Sequence, residues 1–248
     1  MASILELFPE KLIDKLSEIC DNFDIPDNNE RADKMIKALK KYGFEEVGCG
    51  TNRIVVREID NEEFVYKIAL DSAGINDNNM EYDLSFELPG LVVKNYESTG
   101  LISKAQFVYT FNSNDIDTYY TEVMYKLDII KQKYLLFDVG PRSYKNWGYI
   151  TDRNGDVSDI LLLDYAYLVK MSDISIKRCR KCGCSLAYKD DLSGLICNDC
   201  GTEYSFAQAI GNRVASSTAA LFGLSDETEA PLNKIEIDDE TTLSTEGL

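Results

Sequence analysis

Apolar residues near the start of the chain recur at helical spacing, Leu12, Ile13, Leu16 and Ile19 after Pro9, and again as Met35, Ile36 and Leu39. This predicts two amphipathic helices, separated where Pro26 stands between Asp24 and Asp27 and closed by Gly43 as a C-cap. The period then changes from helix to strand. Ile54, Val55 and Val56 form a β-branched run, Asp60 to Glu63 a polar turn, and Phe64, Tyr66 and Ile68 alternate with Val65, Lys67 and Ala69. That is a hairpin entered through the glycine-containing turn Gly48–Gly50, and its second strand carries one lysine among apolar neighbours. Met80, Leu84 and Leu88 predict a helix over residues 78–88, and the runs LVVKNYESTG and ISKAQFVYTF predict two more strands of a mixed sheet. Residues 108–112 read either as an edge strand or as a connection to a second lobe. Ile116, Tyr119, Tyr120, Val123, Met124, Leu127 and Ile130 predict one long core helix over 115–134, capped by Asn114 or Asp115. Beyond it a buried run leads to Asp138, and a hairpin with a turn at Asp152–Asp156 ends at Asp164. An Ala-rich helix is predicted over 205–224.

Composition narrows what such a chain can do. At 248 residues with 44% hydrophobic content it can bury a core. No apolar run approaches the roughly 20 residues that span a bilayer, and the N-terminus has no basic region followed by an apolar one, so a soluble cytoplasmic protein is expected. The net charge of −17 opposes any general affinity for nucleic acid. With no histidine in the chain, histidine bases, Ser-His and Cys-His nucleophiles and histidine metal ligands are all excluded. Chemistry falls to carboxylates, lysine, thiolates or a bound metal. After Ser225 eight acidic residues face one lysine, which predicts an extended acidic tail.

Five of the seven cysteines lie between residues 179 and 200. Cys179-x2-Cys182-Gly and Cys197-x2-Cys200-Gly make two knuckles around a turn at 190–194, a pattern that resembles a zinc ribbon. Four thiolates close a tetrahedral site, so structural rather than hydrolytic Zn²⁺ is expected. Cys184 is left as a spare thiol or as an exchange ligand for Cys182. Four of the five residues 177–181 are basic, which offers a contact for an acidic partner or nucleic acid.

The central stretch carries a second resemblance. GCGTNRIVV, VYKIAL and NNMEYDL resemble the glycine loop, the lysine strand and the glutamate helix of the protein kinase-like fold, including kinase-like proteins of bacteriophages. The resemblance implies that Gly48, Gly50, Lys67 and Glu81 bind a nucleotide, with Glu81 holding Lys67 against the phosphates. It also implies that Asp138 orients or deprotonates an acceptor hydroxyl, and that Asn146 and Asp164 hold Mg²⁺. Asp138 and Asn146 are eight positions apart, wider than in the family's loop, and Asp164 is followed by Tyr165-Ala166.

The expected architecture is therefore α+β. It comprises an N-terminal helical pair (1–42), a reduced kinase-like two-lobe core (43–170), a zinc ribbon (171–204), a C-terminal helix (205–224) and an acidic tail (225–248). The expected function is ATP- and Mg²⁺-dependent phosphotransfer to a protein or small-molecule hydroxyl. The alternative is a non-catalytic, phage-encoded interaction module that docks on a host or viral protein assembly through its ribbon and tail. The expected partners are a nucleotide and a protein, with no nucleic acid and no membrane.

Overall fold

The computed structural model describes residues 2–136, 139–140 and 143–210. The expected acidic tail, most of the expected C-terminal helix, and Asp138 lie outside the described residues.

The chain begins with three helices, α1 (Ile4–Leu7), α2 (Glu10–Cys20) and α3 (Asn28–Lys40), where the apolar periodicity predicts two. Ser3 starts α1 with a capping box to Glu6, and Asp27 caps α3. Gly43 ends this region with φ of +83°, the left-handed conformation that favours glycine after a helix.

Strands β1 (Phe44–Cys49), β2 (Arg53–Glu58), β3 (Phe64–Ala69), β4 (Asn95–Ser98) and β5 (Ile102–Gln106) form a sheet in the order β1-β2-β3-β5-β4. Every pairing in it is antiparallel, so the expectation of a mixed sheet is corrected. Short connections at 50–52, 59–63 and 99–101 allow neighbouring strands to reverse directly. Helix α4 (Ser72–Glu87) lies between β3 and β4 in the chain. It begins six residues before the stretch that apolar spacing predicts, because much of its buried face is polar: Gly74, Asp77, Asn78, Glu81 and Ser85 beside Leu84. Asp71 caps it by accepting from the Gly74 amide.

One face of the sheet and the three N-terminal helices share a core. Ile4, Phe8, Leu12, Leu16, Met35 and Leu39 pack against Phe44, Ile54, Tyr66 and Ile68. Residues 1–42 are thus part of the sheet's hydrophobic unit.

Past β6 (Tyr109–Thr110) come α5 (Asp115–Thr118) and α6 (Tyr120–Ile130), with a break at Tyr119 in place of one long helix. Asn114 makes no side-chain cap; the Asp115 carboxylate accepts from the Asn112 amide instead. Strands β7 (Tyr134–Leu136) and β10 (Leu168–Lys170) pair with each other. Strands β8 (Trp147–Thr151) and β9 (Val157–Leu162) form a hairpin onto which β6 adds as an edge strand. A second core joins Val123, Leu127, Ile130, Trp147, Ile160 and Leu162 to Leu84, Leu88 and Tyr165.

The cysteine region folds as β11 (Leu186–Tyr188), β12 (Leu195–Cys197) and β13 (Glu203–Tyr204), followed by one turn of helix, α7 (Phe206–Ala209). It packs on Leu135 and Val169 of the β7/β10 pair. The Tyr188 hydroxyl donates to the Tyr134 carbonyl at 3.1 Å and accepts from the Leu136 amide at 3.4 Å.

Gly74 is the tightest backbone approach near the glycine turn. A Cβ there would lie 2.2 Å from the Asn52 carbonyl oxygen and 3.0 Å from the Ala69 Cα, whereas one at Gly48 meets nothing within 4 Å. Alanine in a helix ordinarily gains about 1 kcal/mol over glycine. Gly74→Ala is expected to reverse that sign and destabilise by about 1–3 kcal/mol in urea denaturation, with Gly48→Ala close to neutral.

Candidate functional site

The strand register sets the first site. Lys67 on β3 pairs with Val55 on β2, which pairs with Gly48 on β1, so Gly48 lies in the same row as the lysine. Arg53 opens β2 opposite Ala69, two residues before Val55, and therefore projects on the same face as Lys67. The turn between β1 and β2 is tied down from both sides. The Gly50 amide donates to the Arg53 carbonyl and the Leu70 amide to the Asn52 carbonyl, both at 2.8 Å. The Asn28 side chain of α3 donates to the Thr51 carbonyl and to the Asp71 carboxylate that caps α4.

Helix α4 brings Asp77 and Glu81, one turn apart, to this face. Glu81 is fully buried and is the acceptor for two cations. Lys67 Nζ donates to Oε2 at 2.5 Å and Arg53 Nη2 to Oε1 at 2.9 Å. Lys67 Nζ also donates to the Leu163 carbonyl at 2.8 Å, and Arg53 Nη2 to Asp164 Oδ1 at 3.2 Å. Asp77 accepts from Asn52 Nδ2 at 3.1 Å and stands 4.0 Å from Arg53 Nε. Arg53 Nη1 and Asp77 Oδ1 are buried with no hydrogen-bond partner among the described residues.

Two cations and three carboxylates therefore share one low-dielectric cluster. Burial alone pushes the Glu81 carboxyl up, but Arg53 and then Lys67 outweigh it and hold it below the usual carboxylate range. Burial lowers the Lys67 ammonium, and Glu81 offsets only part of this. Burial raises Asp77 and Asp164 against the opposing pull of Arg53. Of the carboxylates that contact Arg53, Asp164 faces outward: its side chain is 44% exposed, against 3% for Asp77 and none for Glu81.

Of the residues expected to bind nucleotide and metal, the structure brings Lys67, Glu81 and Asp164 together, with Gly48 two strands from Lys67 in the same row. Gly50 closes the adjoining turn. Asn146 is half-buried in a 3-10 turn (Tyr144–Asn146), and its carbonyl accepts from the Leu163 amide at 2.7 Å, next to Asp164 in the chain. Sequence reasoning missed the parts played by Arg53, Asp77 and Asn52. The available signal was an aspartate four residues before Glu81; the inward side of Arg53 follows only from its register opposite Ala69, two residues from Lys67.

The second site is the cysteine cluster. Cys179, Cys182, Cys197 and Cys200 bring their sulfurs within 4.8 Å of one another and could hold a metal ion. Neighbouring separations are 3.3–3.6 Å, close to the edge of about 3.8 Å that a tetrahedron with bonds of about 2.3 Å requires. The Tyr204 hydroxyl donates to Cys179 Sγ and, with the Lys181 and Cys182 amides, holds that thiol down at about 6. The Thr202 hydroxyl lowers Cys200 in the same way. Both effects favour the thiolate that a metal needs at Cys179 and Cys200, whereas at Cys182 the lowering pull of the Cys184 backbone is outweighed by hydrogen bonds to the neighbouring sulfurs, which push that thiol up. Cys184 is outside the four and groups with Cys182 and Asp199.

Among the described residues, no helix is long and apolar enough to cross a membrane. Comparison of the sequence with family models finds no match, and comparison with curated proteins finds no similar sequence.

Glu81→Gln is expected to cost about 3–5 kcal/mol at neutral pH, because it leaves two buried cations without their carboxylate. Glu81 has a depressed carboxyl, so its contribution is present above its unfolded value of about 4.3 and is lost as pH falls through the lower folded value. Urea midpoints of wild type and variant should therefore converge on acidification below about pH 4; the raised carboxyls of Asp77 and Asp164 act in the opposite sense but are common to both proteins. For the cysteine cluster, elemental analysis of purified full-length protein should return about one bound metal per chain. Cys197→Ser should lose most of it and expose residues 171–204 to limited proteolysis.

Proposed function

We propose that this chain is a kinase-like protein whose cleft binds a nucleoside triphosphate, the activity served being phosphotransfer to a hydroxyl. The observation that carries the proposal is the buried Lys67–Glu81 pair, with Asp164 at its outer side and Gly48 in the same row of the sheet. A lysine oriented by a glutamate supplies a fixed positive charge for phosphate oxygens. In this reading Lys67 contacts the phosphates and Glu81 fixes its ammonium. Gly48 and Gly50 leave the turn backbone open to the nucleotide, and Asp138 orients the acceptor hydroxyl. Asp164 fits the part of a magnesium ligand because it is the outward-facing carboxylate of the cluster, and Asn146 would be its companion. Magnesium, when bound there, would neutralise charge on the transferring phosphate. Zinc is the metal proposed for the four thiolates, in a structural role.

A second reading is favoured by one contact. Asp164 is already engaged by Arg53, so the carboxylate needed for a metal is committed to a cation. In that reading the chain is a phage-encoded interaction module derived from a kinase-like ancestor, docking on a protein assembly through its ribbon and acidic tail.

Calorimetric titration with ATP and Mg²⁺ tests the first proposal. Binding should weaken at least tenfold in Lys67→Met, with folding checked by circular dichroism. Transfer of labelled γ-phosphate that is lost in Asp138→Asn would support phosphotransfer. ATP binding without any transfer would favour the module.

A further inference from the structure

Arg53 has no assigned part in the nucleotide reading, yet it is the most heavily engaged cation in the cleft. Its side chain is nine-tenths buried, shares a sheet face with Lys67, and follows directly on the turn that contains Gly50. Its donors are unevenly used. Nη2 serves both Glu81 and Asp164, and Nε stands 4.0 Å from Asp77. Nη1 is buried and makes no hydrogen bond among the described residues. A buried guanidinium nitrogen with both N–H groups unmet is costly, and an oxyanion with two acceptor oxygens, such as a carboxylate or a phosphate, is the partner that fits the Nη1–Nη2 fork. Carboxylates already occupy the other edges.

Lys67 alone offers a phosphate little. Two of its three N–H donors point to Glu81 and to the Leu163 carbonyl. Arg53 carries the larger uncommitted donor set in the same place. An incoming ligand reaches the guanidinium at Nη2, by displacing Asp164, because Glu81 is enclosed and Asp164 is not.

We propose that Arg53 is a second phosphate-binding residue of this site: a nucleotide's polyphosphate displaces Asp164 from Nη2 and is gripped by the Nη1–Nη2 fork, with Asp164 holding the guanidinium in reserve until then. The proposal rests on the nucleotide reading given above. It assigns the affinity of the site for phosphate to two cations of different geometry, a point charge at Lys67 and a fork at Arg53. It also makes Asp164 a competitor of metal-free phosphate.

The experiment is a calorimetric titration of the full chain with ATP and, separately, adenosine, in magnesium-free buffer without chelator so that the cysteine site is left intact. Arg53→Lys keeps the charge and removes the fork; it should weaken ATP about tenfold while adenosine binds as before. Asp164→Asn releases Arg53 from its carboxylate and should tighten metal-free ATP several-fold. Equal losses for ATP and adenosine in Arg53→Lys would mean that Arg53 only supports the fold, and unchanged ATP affinity would exclude it from the phosphate site; either overturns the proposal. Should Arg53→Lys fail to fold, the Asp164→Asn titration decides, since unchanged or weaker ATP binding there also overturns it. Arg53→Lys and Asp164→Asn binding ATP as tightly as wild type would remove the assignment of Arg53 and leave the nucleotide reading standing. Wild type that binds neither ligand, with or without added Mg²⁺, removes the nucleotide reading itself and this proposal with it.

Discussion

Glu81 is a carboxylate with no exposure to water, and the organisation of the sheet around it follows from the need to neutralise it. An isolated buried carboxylate would take up a proton, whereas here two cations from adjacent strands keep it ionised. The two strands must hold the register Arg53–Ala69 and Val55–Lys67 to deliver both cations to one point. A slip of one residue would turn Arg53 or Lys67 to the opposite face, where the core of Ile54, Tyr66 and Ile68 has no place for charge. The ionic cluster thus fixes register as well as neutralising charge, and α4 has to come close enough for Gly74 to touch the turn backbone.

The two ends of the described chain are joined to this centre differently. The N-terminal helices share an apolar core with one sheet face, and Asn28 reaches from α3 to both the glycine turn and the cap of α4. The cysteine region contacts the other end of the molecule through a few apolar residues and the Tyr188 hydroxyl. The first connection positions the glycine turn directly. The second acts on β7, the strand that leads toward residue 138.

Strands β2, β3, β5, β8 and β9 were legible because their alternation and β-branched runs are strong, and the cysteine cluster because CxxC spacing is a direct statement of geometry; β1, read as a turn, and the short strands β10 to β13 carry no such pattern. Lys67 stood out as a single charge in an apolar strand, and Glu81 as the acid on the helix that follows. Helix α4 was read too short because Asp77, Asn78 and Glu81 bury polar groups where periodicity looks for apolar ones. Arg53 was passed over because an arginine at a strand end ordinarily faces water, and only pairing register places it inside. The break at Tyr119 has no apolar signature: Ile116 and Tyr119 continue the helical spacing across it. That β5 rather than β4 pairs with β3 is a matter of tertiary pairing that local pattern does not encode.

The hydroxyl of Tyr188 bonds two main-chain groups of β7, one a donor and one an acceptor. That strand pairs only three residues with β10, so a phenol on the cysteine hairpin supplies a sizeable part of its fixation. Tyr188 lies on β11, whose register with β12 runs through Cys197. Occupancy of the thiol cluster and order at the end of β7 are therefore linked quantities, and a metal held by the four sulfurs would shift that local equilibrium by mass action. Free metal in the surroundings would then act on β7 at a distance and without touching it.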